Sequence, residues 1–297
     1  MSAAGAGLSA RSYLFAPGND ERLLGKVFDA GADAVVLDLE DAVPVAQKAR
    51  ARDLVVAALA TRDTTAGPQV WVRINGLDSE LWRHDVAALA ELPLTGLRVP
   101  KAEDPQAVAG LAATLGESSA VRLTLTIESA RGVLAAGELA AVERVDRFAF
   151  GAADYVADVG ADGADPRATL WARSRLVAVS AAHRLLPPIA PAYTALADEA
   201  GLEATTREAK ALGFFGRSCL HPRQLATVHR VFTPTAEEIA AARQVVAALE
   251  AARAAGRAVA VDASGRFLDP AVVRRAERVL ALAEAFAAEP IPQGLVR

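Results

Sequence analysis

Cysteine is almost missing from this chain: Cys219 is the only one among 297 residues, so no intramolecular disulfide can form. That absence removes the framework of a disulfide-stapled extracellular domain and makes a reducing, cytoplasmic setting the expectation. No run of about 18 uncharged apolar residues occurs, which leaves no candidate for a membrane-spanning helix. Residues 1–10 lack the basic start and apolar stretch of a secretory signal and read as a loose tail. Positive charge is not in excess either. With 32 Lys and Arg against 36 Asp and Glu, the formal net charge is -4. The chain therefore offers no basic stripe of the kind that displaces counterions from a nucleic acid. Its four histidines lack the spacing of metal-ligand pairs. No G-x-S-x-G elbow is found, so a serine hydrolase mechanism has no foothold. The stretch Gly18 to Lys26 has the wrong spacing for a P-loop, and no Ser or Thr follows its lysine.

Apolar residues are plentiful instead, at 53%, with 23% charged, which is the balance of a chain with a large core. Short β-branched runs alternate with Ala- and Leu-rich helical stretches, the pattern of parallel strands joined by crossover helices. The strands expected are Arg11–Phe15, Ala34–Leu39, Val70–Asn75, Leu97–Pro100, Arg122–Ile127, Arg147–Gly151, Pro187–Pro191 and Gly213–Phe215. Leu54, Val55, Ala58 and Leu59 make a one-sided stripe suited to packing on a sheet. Eight units favour a (β/α)8 TIM barrel over residues 11–232. A doubly wound open sheet is the alternative, but no Gly-rich fingerprint follows the first strand. Beyond Thr233 the rhythm changes to a helix over Thr235–Ala255, a polar hairpin-like stretch after Gly256, and a last helix over Pro270–Ala288 that Pro290 and Pro292 end. Residues 233–297 have too few apolar side chains for a core of their own. They are expected to form a helical lid or to dock on a neighbouring subunit.

A parallel barrel does its chemistry where the strands end. Asp38, Glu40 and Asp41 stand there on the second strand, Arg73 and Asn75 on the third, then Lys101, Glu128 and Asp154. Glu128 and Asp154 follow adjacent strands, and two hard carboxylates facing one pocket suit Mg2+, which keeps its waters and takes substrate oxygens. Helix and loop capping is the other reading of this pair. Arg73, set between Val72 and Ile74, requires an anion: a substrate carboxylate, or an internal salt bridge to Asp38 or Glu40. Lys101 reads as an ion-pair partner or anion contact rather than a Schiff-base lysine. His221 before Pro222 is as well suited to orienting a helix start as to catalysis.

Taken in order, Ser12-Tyr-Leu-Phe-Ala-Pro-Gly18, Leu37-Asp-Leu-Glu-Asp-Ala-Val43, Val72-Arg-Ile-Asn75, Val99-Pro-Lys101, Ile127-Glu-Ser-Ala130, Gly151-Ala-Ala-Asp154, Leu220-His-Pro222 and Phe232-Thr-Pro234 resemble the citrate lyase beta subunit and malyl-CoA lyase group of the HpcH/HpaI aldolase superfamily. The resemblance covers nearly the whole chain. The stretch Val72 to Val86, with Arg73, Asn75, Trp82 and Asp85, is similar to the malyl-CoA lyases in particular. It implies a trimeric or hexameric barrel enzyme with Mg2+, or Mn2+ in its place, at Glu128 and Asp154. Arg73 is implied on the carboxylate of a 2-oxo acid, and Phe15 and Lys26 on CoA. Ala153 is implied as a further substrate contact, and Asp269 as a catalytic carboxylate, although Asp before Pro270 is also an ordinary helix start. The implied reaction is reversible Claisen-type cleavage of a short hydroxyacyl-CoA, of malyl-CoA or citramalyl-CoA type, to acetyl-CoA or propionyl-CoA and a 2-oxo acid. A malyl-CoA-type thioesterase, and a citrate lyase beta-like subunit acting on a carrier-bound citryl group, are the alternatives. Two positions depart from the family pattern. Ile189-Ala190 stands where an apolar-Asp pair is usual, and Gly216-Arg217 where Gly-Lys is usual. The missing carboxylate is expected near the pocket rim.

Overall fold

Short β-branched runs become strands and Ala-rich runs become helices over most of the computed structural model, which describes residues 10–62, 67–116, 119–255, 261, 265 and 267–287. Seven strands form one sheet: β1 (Ser12–Pro17), β2 (Ala34–Asp38), β3 (Gln69–Arg73), β4 (Gly96–Val99), β5 (Arg122–Ile127), β6 (Val145–Phe150) and β7 (Arg217–Cys219). They lie parallel in the order β6-β5-β4-β3-β2-β1-β7. The helices between them are α1 (Glu21–Val27), α2 (Lys48–Ala60), α3 (Leu81–Leu89), α4 (Pro105–Thr114), α5 (Ala130–Ala140), α6 (Ala152–Asp158), α7 (Leu170–Ala182) and α8 (Glu199–Leu212). The chain continues with α9 (Leu225–Phe232), α10 (Ala236–Ala254) and α11 (Pro270–Ala287).

The sheet is curled. Tyr13, Ala34, Val36, Trp71, Ala149 and Ile189 share one buried cluster with Phe15 against it, and residues from β3 and β6 meet there only if the sheet bends round on itself. Arg98 of β4 likewise donates from Nη1 to Ser218 Oγ of β7 at 3.0 Å, from one side of the curl to the other. Strand β2 is buried along its whole length, as a parallel strand covered on both faces must be. Outside it, α2 packs through Ala51, Val55 and Leu59, while Leu54 and Ala58 of the expected stripe are half-buried. Each such buried aliphatic side chain contributes roughly 1.5–3 kcal/mol.

Two of the eight expected strands differ from expectation. Residues 187–191 form no named strand: Ala149 bridges Ile189 and Ala190 bridges Arg217, both parallel, as isolated contacts between β6 and β7. Pro187, Pro188 and Pro191 have no N–H to give, so a continuous ladder cannot form there. The last strand is Arg217–Cys219, not Gly213–Phe215. Gly213 instead ends α8 at φ 107°, a left-handed cap whose N–H bonds Ala209 and Lys210 carbonyls, and the chain needs the next residues to turn back onto β1.

The chain divides into two compact units, Ala10–His229 and a second built from residue 230 onward. In the second, Thr235 and Glu238 close a reciprocal capping box on α10. Ala252 and Leu268 form a small buried cluster with Val245, Ala248 and Leu249 against it, a core that the composition of this segment does not predict. Of the expected N-terminal tail, only Ala10 is described, and it is buried. Most of the hairpin-like stretch after Gly256, with Pro290 and Pro292, lies outside the described residues. No described helix is long and apolar enough to cross a membrane.

Candidate functional site

The ends of β2 to β6 bring one polar cluster together. Past four of these strands, β2, β3, β4 and β6, a further bond ties the chain to the neighbouring strand, with Leu39 N to Arg73 O at 2.9 Å, Ile74 N to Arg98 O at 3.2 Å, Ala102 N to Thr126 O at 3.1 Å and Gly151 N to Ile127 O at 3.0 Å. These bonds hold the residues after the strands on a rigid rim.

Arg73 lies at the centre of the β2–β3 half. Its Nε donates to Asp38 Oδ1 at 2.7 Å, its Nη2 to Asp38 Oδ2 at 2.5 Å, and its Nη1 lies 2.9 Å from Glu40 Oε2. Burial opposes the guanidinium charge, but the Asp38 fork and the Glu40 charge more than offset it, and its pKa is raised. The internal salt bridge thus exists, and it uses three of five N–H donors, which leaves one on each Nη for a ligand. Asp38 is 1% exposed and also accepts the Glu40 and Ala42 N–H groups, so it is fixed before any ligand arrives. Lys48 donates to the Leu39 and Glu40 carbonyls at 2.7 Å each and pins the same loop from below.

Lys101 ties the halves together. Its Nζ is 2.7 Å from Glu40 Oε1, and this bond holds the ammonium above its ordinary range, as befits an ion-pair residue. Its backbone takes a left-handed φ of 49°, a conformation that costs a non-glycine residue of order 1 kcal/mol. The strained peptide turns its N–H onto Glu128 Oε1 at 2.7 Å.

Glu128 does not cap the following helix. Ser129 Oγ accepts from Gly132 N at 3.0 Å and Asp158 accepts from Ala130 N at 2.7 Å, so both cap sites are filled by others. The Glu128 carboxyl is buried beside Gly151, where an added Cβ would fall 2.4 Å from its Oε2. Only glycine leaves that room. Burial raises Glu128 to about 7, and the Asp154 charge adds to the rise although the Lys101 N–H opposes it. Asp154 stands exposed in the first turn of α6 and has no hydrogen bond or ion pair among the described residues. A buried carboxyl oriented by a backbone N–H, with a second, free carboxylate whose charge raises its cost of ionisation, fits a hard divalent cation. No group of three or more His, Cys, Asp or Glu forms a full cage among the described residues, so such an ion would keep open positions.

The remaining expected residues are placed as follows. Phe15 is half-buried, with its ring centroid 5.3 Å from the Arg73 guanidinium carbon and 4.9 Å from that of Arg98. Ala153 is exposed next to Asp154. Lys26 is exposed in the last turn of α1, the turn farthest from the strand ends, and is not drawn into the cluster. Asn75 is buried and donates from N and Nδ2 to Asp85, which Arg52 Nε also holds. Asp269 belongs to the second unit, where its Oδ1 accepts from Ala271 N at 2.7 Å and Val272 N at 3.0 Å, the helix cap anticipated for an Asp-Pro start. His221 caps through Nδ1, 3.1 Å from Arg223 N. Sequence reasoning passed over Arg98 and Gly151. An arginine inside Leu97-Arg98-Val99 carries the same signal that singled out Arg73.

Ala190 does not reach this rim, contrary to expectation, and Arg217 lies away from it as well. Ala190 and Arg217 are bridge partners, so their side chains share a face. Arg217 interacts there with Arg173 of α7 and Glu208 of α8, in the layer between sheet and helices.

A curled parallel α/β sheet that concentrates cations and carboxylates at its strand ends has the layout of an enzyme active site. The chain belongs to the HpcH/HpaI aldolase/citrate lyase family, whose model matches residues 11–222. It is 35% identical to citrate lyase subunit beta of Leuconostoc mesenteroides subsp. cremoris over 93% of both chains. It is 36% identical to a (3S)-malyl-CoA thioesterase and 34% identical to an L-malyl-CoA/beta-methylmalyl-CoA lyase, both of Cereibacter sphaeroides, in each case over 94% of this chain and 96% of the relative. Among solved structures, CitE from Mycobacterium tuberculosis in complex with magnesium, acetoacetate and coenzyme A superposes with a TM-score of 0.77 at 30% identity, over 93% of this chain and 98% of that one.

Proposed function

We propose that this protein cleaves a short hydroxyacyl thioester, of malyl-CoA or citramalyl-CoA type, into a 2-oxo acid and an acyl-CoA by a reversible Claisen-type step. The observation that carries the reading is the Glu128 carboxyl, buried, fixed by the Lys101 N–H and set beside Asp154 and the Arg73 cluster. Magnesium, seen with the tuberculosis CitE, would be held by Glu128 and Asp154 and would supply Lewis-acid polarisation of substrate oxygens.

Arg73 has its remaining N–H donors available for the carboxylate of the oxo acid, with its position set by Asp38 and Glu40. As the hydroxyl proton departs, the carbinol carbon becomes a carbonyl and the adjacent C–C bond breaks. Its electron pair passes into the thioester as an enolate, whose carbon then takes a proton. Asp269, brought by the helical segment of a neighbouring chain in a trimer or hexamer, is the group we assign to that proton. Phe15, Lys26 and Ala153 are assigned to the thioester side. The bridges at Ile189 and Ala190 fit the place of an eighth strand in a (β/α)8 barrel.

The thioesterase relative gives the second reading, since water delivered to the same carbonyl would release free CoA. Incubating the purified protein with Mg2+ and malyl-CoA separates the two. Glyoxylate and acetyl-CoA support the lyase; malate and free CoA replace it with the hydrolase; no turnover of the CoA ester, but turnover of a carrier-bound citryl group, makes it a citrate lyase beta-like subunit.

A further inference from the structure

Among the described residues, three that are not glycine take a positive φ: Lys101, Arg144 and Arg184. Arg144 and Arg184 lie in turns that lead into β6 and into the Ile189 bridge, at the far end of the sheet from the rim. Lys101 has this conformation just after β4, where the site lies, at φ 49°. Glycine adopts it readily and lysine does not. The residue type at 101 therefore works against its own backbone, and something must hold the turn.

Packing does not hold it from outside. There the turn borders a cavity of about 330 Å3, lined by Leu77, Val108 and Arg131 as well as by Lys101 itself. The next residue is fixed, since Ala102 N donates to Thr126 O at 3.1 Å. That bond does not set the turn, because the peptide between Pro100 and Lys101 can rotate with both neighbours in place, swinging its N–H away from Glu128. The remaining tie is the side chain, whose Nζ lies 2.7 Å from Glu40 Oε1 and 3.4 Å from Asp41 Oδ1. A half-exposed ion pair ordinarily contributes little. Here the anchor is preset: the Glu40 carboxylate also receives Arg73 Nη1 at 2.9 Å and the Asp41 N–H at 3.1 Å, and its side chain is 6% exposed. Only the lysine has freedom to lose, so the pair can match the cost of the left-handed backbone.

Resting on the reading of Glu128 as a metal carboxylate, we propose that Lys101 is a positioning residue for the divalent cation: its ammonium, held on Glu40, keeps the strained peptide turned so that its N–H fixes Glu128 Oε1 at 2.7 Å. Charge alone acts in the opposite direction. An ammonium near a cation site repels the cation, so removing it would tighten Mg2+ binding whatever residue takes its place. Anchoring makes the outcome depend on the backbone of the replacement.

Calorimetric titration with Mg2+ separates the two. Lys101→Met keeps the backbone cost and loses the anchor, and it should bind Mg2+ on the order of tenfold more weakly than wild type. Lys101→Gly loses anchor and backbone cost together, and should bind about threefold or more tightly than Lys101→Met. Lys101→Arg, which keeps a cation for Glu40, should restore most of the wild-type affinity. Equal affinities for the Met and Gly variants overturn the proposal, as does Lys101→Met binding at least as well as wild type. A second measurement does not require Lys101→Met to fold. In the metal-free protein, Glu40→Gln should speed hydrogen exchange at the Lys101 amide by on the order of tenfold, and unchanged exchange overturns the proposal. Failure of wild type to bind Mg2+ removes the metal reading of Glu128, and this inference with it.

Discussion

Glu128 couples the metal site to the stability of the fold. Burial lifts its carboxyl from 4.5 to about 7, with the Asp154 charge adding to the rise. In the metal-free protein, between those two values, the folded state still holds a proton that the unfolded chain has lost. The stabilising contribution is therefore complete below the unfolded pKa, declines as pH rises through the folded one, and is gone above it. At 1.36 kcal/mol per pKa unit, the loss is on the order of 3 kcal/mol, and with the residue only 7% exposed, solvent screening removes little of it. A glutamine at this position keeps the acceptor that Lys101 N–H uses but cannot ionise. Urea denaturation in EDTA should then find wild type and Glu128→Gln alike at about pH 5. At about pH 8 the variant should be the more stable by roughly 3 kcal/mol. Excess Mg2+ at about pH 8 should reverse that order, because the ion binds only the carboxylate form. Parallel pH profiles of the two proteins in EDTA would refute the reasoning, since the buried carboxyl would then not be titrating in this interval.

Arg73→Lys should lower kcat/KM by on the order of 2 kcal/mol, because an ammonium cannot hold the Asp38 fork and a substrate carboxylate together. Unchanged steady-state kinetics would reduce Arg73 to a structural ion-pair residue. Gly151→Ala should displace Glu128 and weaken Mg2+ binding about tenfold or more by calorimetry, with the circular dichroism spectrum retained. Asp269→Ala should cost about 1 kcal/mol as a lost helix cap. Mixed oligomers of inactive Asp269→Ala and inactive Glu128→Gln subunits should regain partial activity, and continued inactivity in verified mixtures would exclude a site shared between chains.

Local signals carried the architecture well where the chain is regular. Arg122–Ile127 is a strand with the same limits that its alternating apolar pattern predicts, and Thr235 and Asp269 begin helices where a capping residue precedes an apolar run. Legibility fell where backbone chemistry overrode side-chain pattern. The prolines around Ile189 left bridges in place of a strand, and the left-handed Gly213 moved β7 along the chain. In the site, the charged residues were legible together: one of them after a strand is ordinary, but charge at five strand ends of one sheet is a coincidence that points to a shared rim. Among their partnerships, the bridge from Arg73 to Asp38 and Glu40 was offered by the sequence, and those of Glu128 were not. That Lys101 would adopt a left-handed φ to present its N–H to Glu128, or that Gly151 would clear space for that same carboxyl, depends on distances between strands that no sequence spacing encodes.

The two family departures make the same point from the other side. Read along the chain, Ala190 and Arg217 are separate losses, one of a carboxylate and one of a lysine. In the sheet they are a single bridge pair, and a carboxylate at 190 would face the cation at 217 within the helix-covered layer. With alanine there, Arg217 is left 2% exposed, with an Nε that has no hydrogen-bond partner, and burial pulls it down to about 10. Arg173, close by and 6% exposed, already bonds Glu208. Glu208 bonds Arg173 and reaches Arg217 only through its charge, so the imbalance lies between the sheet and helices α7 and α8, not at the strand ends. The bonds that hold Glu128, Arg73 and Lys101 at the strand ends involve neither Ala190 nor Arg217, so the departures bear on what holds this part of the sheet together and not on the contacts of the rim.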